Sequence, residues 1–315
     1  MSHPLTRFNQ GNERTRPRVL LVDDHRRVLD AVSAMLTDDF DVVGVATDGK
    51  QALEIAPRVH PDVIVVRSAF WQTSCTIVRR ADGDDAGECF VIDSPVLPHE
   101  LEALPVIVEQ AGWELSGMLC THGDWDHLLG RYAFPDAALG CAETTGARLR
   151  ANPGEAQREL REFDEENYVE RPRPLSLGQV QALPVPGHIG IGDTELDLLP
   201  ADGHTEDGMA LRIPWAGVVV CGDYLSPVEI PWLSESGSRD AYLATLERLR
   251  PWVEEASWIV PGHGAPIDAQ RALAILREDV AYLEALPDAA APIPPARRTG
   301  AQRRIHEENL KRVSA

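Results

Sequence analysis

The segment THGDWDHLLG, residues 121–130, holds two histidines and two aspartates within the six positions from His122 to His127. Carboxylates only accept hydrogen bonds, and their removal from water is costly. Backbone donors therefore cannot satisfy such a dense cluster cheaply if it is buried, whereas a divalent cation can. Histidine and aspartate together suit zinc, and they also suit iron or manganese. The segment predicts a metal site.

Three further segments follow apolar strands and carry a histidine or an aspartate at the turn. They are DGHTEDG at 202–208, CGDYLS at 221–226 and PGHG at 261–264. A lone histidine is more often a structural residue than a ligand. Functional residues, however, concentrate in the turns that leave the rim of a sheet. The repetition after four strands predicts that these segments form one site.

In this order, the four segments resemble the metallo-β-lactamase superfamily, which carries H-x-H-x-D-H, a distant histidine, a bridging aspartate and a last histidine. The resemblance covers residues 68–290 and implies an α/β fold class, the metallo-β-lactamase αβ/βα sandwich. It also implies two divalent metal ions as cofactors, zinc before iron or manganese. Residue by residue, the implied metal ligands are His122, Asp124, Asp126, His127, His204, Asp223 and His263.

The resemblance divides these ligands between two metals. Metal one would be held by His122 and His204. Metal two would be held by Asp126, His127 and His263. Asp223 would lie between the metals, and the two carboxylates of Asp126 and Asp223 are also the candidate catalytic residues.

One position departs from the superfamily pattern, because Asp124 stands where the second motif histidine is expected. A carboxylate can replace an imidazole as a ligand, so direct coordination is the preferred interpretation. The alternative is that Asp124 only hydrogen-bonds a neighbour, which leaves metal one a ligand short. The extra negative charge should move the metal preference a little from zinc towards iron or manganese.

The implied activity is hydrolysis of an ester, thioester, lactone or phosphodiester-type substrate by a metal-bound hydroxide. Two cations lower the pKa of a bound water and polarise the oxygen of the bond under attack, so that no protein nucleophile is required. The sequence accordingly contains no G-x-S-x-G elbow and no plausible Cys-His pair. A small-molecule substrate is the expected partner, and a homodimer is an open alternative to a monomer.

Two other functions stay open at this point. One is a diiron redox enzyme, although the diiron reductases of the superfamily need a flavin domain and no flavin phosphate loop is visible in this sequence. The other is a regulatory protein of the two-component type, with a non-phosphorylatable receiver fragment and a structural metal site. Hydrolysis ranks first.

Three residues near the motifs are weak candidates for the substrate pocket, namely Trp125, Tyr224 and Ser226. Trp125 could line the pocket mouth, but packing beneath its loop is the favoured interpretation. His188 lies in the glycine-rich segment PGHIGIGD, which is typical of a turn, and we expect it at the surface without a partner.

Residues 18–67 alternate apolar strands with helical segments and resemble a truncated response-regulator receiver, a βαβαβ half with a parallel sheet. Asp23 and Asp24 match the acidic pair of that family. The expected phosphoacceptor position holds Arg67, which cannot accept a phosphoryl group, so we expect no phosphoacceptor. The segment has a thin core and an unfinished sheet edge, and it should lean on the rest of the chain or on a second chain.

The remaining features are those of an ordinary globular protein, with 43% hydrophobic and 25% charged residues. The formal net charge of −20 disfavours general binding to nucleic acid or to a membrane surface. No run approaches the roughly 20 apolar residues of a membrane span, and the polar start lacks a signal peptide, so the expected location is cytoplasmic. We predict four parts: a flexible leader at 1–17, the receiver-like segment at 18–67, the metallo-β-lactamase-like domain at 68–290, and a linker with a basic C-terminal helix at 291–315.

Overall fold

The computed structural model of the protein describes residues 18–22, 41–47, 51, 61–79, 87–286, 288 and 291–314. The predicted leader, the acidic pair Asp23 and Asp24, and most of the two predicted helices between the first strands lie outside these residues. Within the described ranges, no helix combines the length and the apolar character that crossing a membrane requires.

Two β-sheets lie at the centre of the fold. The strands of the first are β1 (Arg18–Val22), β2 (Asp41–Ala46), β3 (Val63–Arg67), β4 (Ser74–Arg79), β5 (Glu88–Ile92), β6 (Glu114–Leu119), β7 (Leu139–Ala142) and β8 (Val180–Leu183). The strands of the second are β9 (Gly187–Ile191), β10 (Thr194–Pro200), β11 (Met209–Ile213), β12 (Val218–Val220), β13 (Trp258–Val260) and β14 (Ile267–Asp268). Their spatial orders are β2-β1-β3-β4-β5-β6-β7-β8 and β14-β13-β12-β11-β10-β9.

Helices cover the outer face of each sheet. They are α1 (Pro98–Gln110), α2 (Gly130–Ala133), α3 (Glu143–Ala151), α4 (Glu155–Asn167), α5 (Arg239–Glu255), α6 (Ala269–Ala285) and α7 (Gly300–Ser314). Leu104 of α1 packs in one cluster with Ile77 of the first sheet, and Leu246 of α5 packs in another with Ile259 of the second. The predicted α/β sandwich is therefore confirmed.

Strand β3 shows how the layers are built, because successive side chains of a strand point to opposite faces. Val63 and Val65 belong to the core between the two sheets, whereas Ile64 and Val66 belong to the core beneath the helices of the first sheet. A continuous apolar run is thus the expected composition of a strand that is buried on both faces.

The first three strands join the main sheet directly. β1 pairs in parallel with β2 and β3, as predicted, and β3 pairs antiparallel with β4 from Val63↔Val78 to Arg67↔Ser74. This pairing confirms that the N-terminal segment leans on the rest of the chain. Its likeness to a receiver and the domain boundary at residue 68 stay predictions.

The prediction of a turn around His188 was wrong. Gly187–Ile191 forms β9, which pairs antiparallel with β10, and the exposed His188 has a partner, since its Nδ1 lies 2.8 Å from Asp197 Oδ1. The glycines of this segment gave a turn signal, but pairing with the neighbouring strand outweighs such local preferences.

Candidate metal centre

The seven predicted ligands lie at one rim of the sandwich, where strands of both sheets end. The loop after β6 carries His122 to His127, and the last three residues of this run form a single 3-10 turn. The loop after β10 carries His204. Asp223 follows β12 and His263 follows β13. Four separate strand ends therefore meet in one place, as the sequence predicts.

His122, His204 and Asp223 form the first group, which we call site one. Their ligand atoms all lie within 4.8 Å of one another. Asp223 Oδ2 is 3.3 Å from His204 Nε2 and 3.9 Å from His122 Nε2. These are distances at which one cation can contact all three side chains.

Asp126, His127 and His263 form the second group, site two, whose ligand atoms also lie within 4.8 Å of one another. Asp126 Oδ2 is 3.6 Å from the Nε2 atoms of both histidines. Asp223 reaches this group too, because its Oδ1 is 3.2 Å from His127 Nε2 and its Oδ2 is 3.3 Å from His263 Nε2. Asp223 therefore lies between the two sites.

The buried ligand atoms fit a cation better than they fit each other. Among the described residues, no hydrogen-bond partner exists for the Nε2 atoms of His122, His127 and His204 or for Asp223 Oδ1. Buried polar atoms are nearly always satisfied, so several orphaned atoms in one spot indicate a missing partner. Nitrogen and carboxylate oxygen atoms that converge in this way fit divalent metal ions.

Backbone carbonyls orient two of the four histidines. His204 Nδ1 lies 2.9 Å from the Trp232 carbonyl oxygen, and His263 Nδ1 lies 3.1 Å from that of Trp71. A carbonyl oxygen only accepts, so Nδ1 must carry the proton in both rings. In the neutral ring, the lone pair of Nε2 is then free to bind a cation.

Thr121 and Asp93 orient the other two histidines. The single Thr121 hydroxyl hydrogen is donated to Asp93 Oδ2 at 2.9 Å, so this hydroxyl can only accept from His122 Nδ1 at 3.1 Å. Asp93 Oδ2 also lies 3.1 Å from His127 Nδ1. All four histidines therefore present Nε2 to the centre, an arrangement that outer partners impose in metal sites.

Asp124 divides its two oxygen atoms between the centre and an arginine. Oδ2 lies 3.3 Å from His204 Nε2 and 3.6 Å from His122 Nε2, while Oδ1 lies 2.8 Å from Arg148 Nη1. Burial alone would raise the pKa of Asp124, but the two neighbouring histidines outweigh it and hold that pKa well below its usual range. The carboxylate is therefore ionised and faces site one; its coordination of a metal stays a prediction.

Carboxylates dominate the electrostatics of the histidines at this centre. Burial lowers the pKa of His204, but Asp124 and Asp223 outweigh this effect and raise it to about 9. Burial likewise lowers the pKa of His263, but the charges of Asp223 and Glu229 outweigh this effect and raise that pKa to about 10. A cation that binds these rings must therefore displace protons.

Sequence analysis did not identify three residues that support the candidate ligand loops. Asp93 directly follows β5, and an aspartate after an apolar strand was a signal that could have identified it. Asp207 lies inside the quoted segment DGHTEDG, yet it accepts a hydrogen bond from the Gly123 amide at 2.9 Å. Arg148 lies on α3 with no sequence signal that connects it to the motifs.

The weak pocket candidates contact the protein itself. Trp125 packs against Phe163, with 4.8 Å between ring centroids, as the favoured interpretation predicts. The Tyr224 hydroxyl accepts from the His204 amide at 3.1 Å, and the Ser226 hydroxyl donates to the His263 carbonyl oxygen at 2.7 Å. Both hydroxyls support ligand loops, and their contact with a substrate stays a prediction.

A cleft borders the centre. Its lining includes the ligands His204 and Asp223 together with Glu229 and Trp232. Trp232 is 37% exposed, and its ring centroid lies 5.3 Å from that of His204. The cleft therefore offers an apolar surface and a carboxylate beside the candidate ligands.

Comparison with known proteins matches residues 69–263 to the family model described as the metallo-beta-lactamase superfamily. A curated relative, the hydroxyacylglutathione hydrolase of Cereibacter sphaeroides ATCC 17029, is 28% identical over 193 residues, which are 61% of this chain. The chain spans 64% of the length of that relative.

Solved structures share the fold. TTHA1429, a metallo-beta-lactamase family protein from Thermus thermophilus, is 20% identical with a TM-score of 0.56, over 81% of this chain and 94% of its own. DIM-1 metallo-beta-lactamase is 18% identical with a TM-score of 0.50, over 71% of this chain and 93% of its own. TTHA1623 in a di-iron-bound form is 20% identical with a TM-score of 0.50, over 66% of this chain and 96% of its own.

Proposed function

Because this chain belongs to the metallo-β-lactamase superfamily, whose members bind divalent metals, typically two, we propose that it is a metal-dependent hydrolase of a small-molecule substrate. The observation that carries the proposal is the convergence of orphaned Nε2 atoms from His122, His127 and His204 on the shared carboxylate of Asp223. Zinc is the first candidate metal, with iron or manganese as alternatives.

The proposed ligands follow the two groups of side chains. Metal one takes His122, Asp124 and His204. Metal two takes Asp126, His127 and His263. Asp223 would contact both metals, because its Oδ1 lies 3.2 Å from His127 Nε2 and its Oδ2 lies 3.3 Å from His204 Nε2.

When bound, such a pair of cations lowers the pKa of a water molecule and polarises the oxygen of the bond under attack. The chain's own residues supply orientation. Since ionised carboxylates only accept hydrogen bonds, Asp126 and Asp223 would orient a water molecule by accepting its hydrogens. Glu229 and Trp232 line the adjoining cleft, where the substrate would bind.

A thioester is the first substrate class to test, because the curated relative is named for hydrolysis of an acyl-glutathione thioester. Esters, lactones and phosphodiesters follow. We expect turnover of at least one class by protein with two metals per chain. The measurement is metal content by mass spectrometry together with hydrolysis rates across the four classes.

Two histidine variants, one in the candidate metal centre and one outside it, test whether the centre carries the activity. We expect His204→Ala to lower turnover by about a hundredfold or more and to reduce the metal content, because metal one loses a ligand. The control is His188→Ala, which removes an exposed histidine whose partner is Asp197 and should change neither quantity. Stoichiometric metal in the unchanged protein without hydrolysis of any class would contradict the proposal.

Di-iron redox chemistry is the second candidate, and the observation that favours it is the third aspartate, Asp124, which faces site one. TTHA1623, which shares the fold, was solved in a di-iron-bound form. This function predicts purified protein with two irons and an absorption band that depends on oxygen. Protein that contains only zinc and hydrolyses a substrate would exclude this redox function.

A regulatory role for residues 18–67 beside a structural metal site is the remaining alternative, and it predicts metal without turnover.

A further inference from the structure

Arg148 joins two of the loops that carry ligands of site one. Its Nη1 lies 2.8 Å from Asp124 Oδ1, in the loop after β6, and 2.9 Å from Asp207 Oδ1, in the loop after β10. The Arg148 side chain is 9% exposed and that of Asp207 is fully buried. One guanidinium on α3 therefore holds carboxylates from both loops.

Asp207 completes the connection by accepting the Gly123 amide at 2.9 Å with its other oxygen. A Cβ atom at Gly123 would lie 3.2 Å from Asp207 Oδ2 and 3.5 Å from Arg148 Nη1. A side chain at this position would therefore press on the charged pair. The position of Asp124, the next residue, is set by these contacts.

The contact with Arg148 also decides which oxygen of Asp124 is available. Oδ1 is engaged by the arginine, and Oδ2 is the atom that lies 3.3 Å from His204 Nε2. Charge-assisted hydrogen bonds of this kind are short and directional, so they fix a carboxylate in one orientation. An imidazole at the same position would need no cationic partner.

We propose that Arg148 is the positioning residue of site one, which holds Oδ1 of Asp124 so that Oδ2 alone faces the metal. The inference rests on the proposed metal centre, and it explains how the chain uses an aspartate where the superfamily pattern has a histidine. Arg148 acts through Asp124 and does not itself contact the metal.

The test is zinc binding to metal-stripped protein, measured by competition with a chelator, in a cycle of four proteins. These are the unchanged chain, Arg148→Met, Asp124→His and the double variant. We expect Arg148→Met to weaken one of the two zinc sites by about 10–100-fold, the usual effect of losing an outer partner. In the Asp124→His background the same change should cost at least fivefold less. Arg150→Met, an exposed arginine on the same helix, is the matched control and should bind zinc normally.

Equal losses of zinc affinity in both backgrounds would overturn the proposal, because the arginine would then act through the fold or through Asp207 alone. Unchanged affinity in Arg148→Met would overturn it as well. If Arg148→Met is insoluble, Arg148→Lys replaces it in the cycle, since lysine keeps the charge but lacks the planar fork of donors. The same inequality between backgrounds is then expected, with smaller losses. Zinc affinity is independent of turnover, so a protein that hydrolyses nothing would refute the proposed function and leave this inference intact.

Discussion

Sites one and two differ in where their supporting contacts come from. In site two, His127 and His263 are held by Asp93 and by the Trp71 carbonyl, both within the family-matched residues 69–263. In site one, Asp124 is held by Arg148 and His204 by the Trp232 carbonyl, and both supports also lie within these residues. The loop that carries Trp232, however, is anchored by the C-terminal helix α7, which lies beyond them. Site one thus depends on an element outside the family-matched residues, whereas these supports of site two lie inside them.

The anchoring of that loop is specific. Asn309 of α7, which is fully buried, accepts the Leu233 amide at 2.9 Å and donates to the Pro231 carbonyl oxygen at 2.7 Å. Gln302 of the same helix accepts the Ile230 amide at 2.7 Å. These contacts flank Trp232, whose carbonyl orients His204. The basic C-terminal helix predicted from the sequence therefore supports the centre, although it lies beyond the family-matched residues.

Acidification should affect both sites, and we expect the largest effect from it. The pKa values of His204 and His263 rise to about 9 and about 10 in the metal-free protein, from 6.5, so both rings are protonated near neutral pH. Zinc affinity should therefore increase by about tenfold per pH unit for each proton released. A chelator competition series from about pH 6 to pH 9 measures the slope. A flat profile would contradict the role of these rings as ligands.

The raised pKa values of these histidines also affect the stability of metal-free protein, but with the opposite pH dependence: zinc affinity increases with pH, whereas stability decreases. A raised histidine pKa stabilises the fold fully below the unfolded value of 6.5, and this contribution is lost as the pH rises through about 9 and 10. We therefore expect the melting temperature of metal-free protein to decrease as the pH rises from about 6.5 to about 10. Metal-loaded protein is the control, because its rings are already neutral.

Asp93→Ala should weaken site two more than site one. His127 loses the carboxylate that contacts its ring directly, whereas His122 keeps Thr121 and loses only the carboxylate behind it, so we expect zinc affinity to fall by about 10–100-fold at site two and by less at site one. Cobalt substitution with absorption spectroscopy distinguishes the two sites. The control is Asp197→Ala, which removes the partner of the exposed His188. Equal losses at both sites would show that Asp93 supports the fold as a whole.

Asn309→Ala should weaken site one by a smaller amount. The loop around Trp232 loses two hydrogen bonds, so we expect a loss of about 1–3 kcal/mol in the free energy of unfolding and a decrease of a few fold in zinc affinity at site one. Glu307→Ala, an exposed change on the same helix, is the control. Denaturant unfolding and zinc titration measure the two effects. An effect on site two alone would contradict this connection between α7 and His204.

The motif residues could be predicted from sequence because their information is local. His122 and His127 lie five positions apart in one loop, and His204, Asp223 and His263 each follow an apolar strand. Strand composition and ligand chemistry both act within a few residues, so a linear reading locates them. The glycine-rich segment around His188 shows the limit, since its conformation depends on a neighbouring strand that pairs with it.

The sequence alone therefore predicted the sandwich, the rim at which the ligands meet and the unusual aspartate at position 124. Only the tertiary structure decided what holds those ligands. Arg148 contacts Asp124 from helix α3, and the carbonyls of Trp71 and Trp232 orient two of the histidines. Every residue type carries a carbonyl, so no sequence pattern distinguishes the ones that support a histidine. Contacts between distant elements leave no spacing to recognise, because folding alone brings them together.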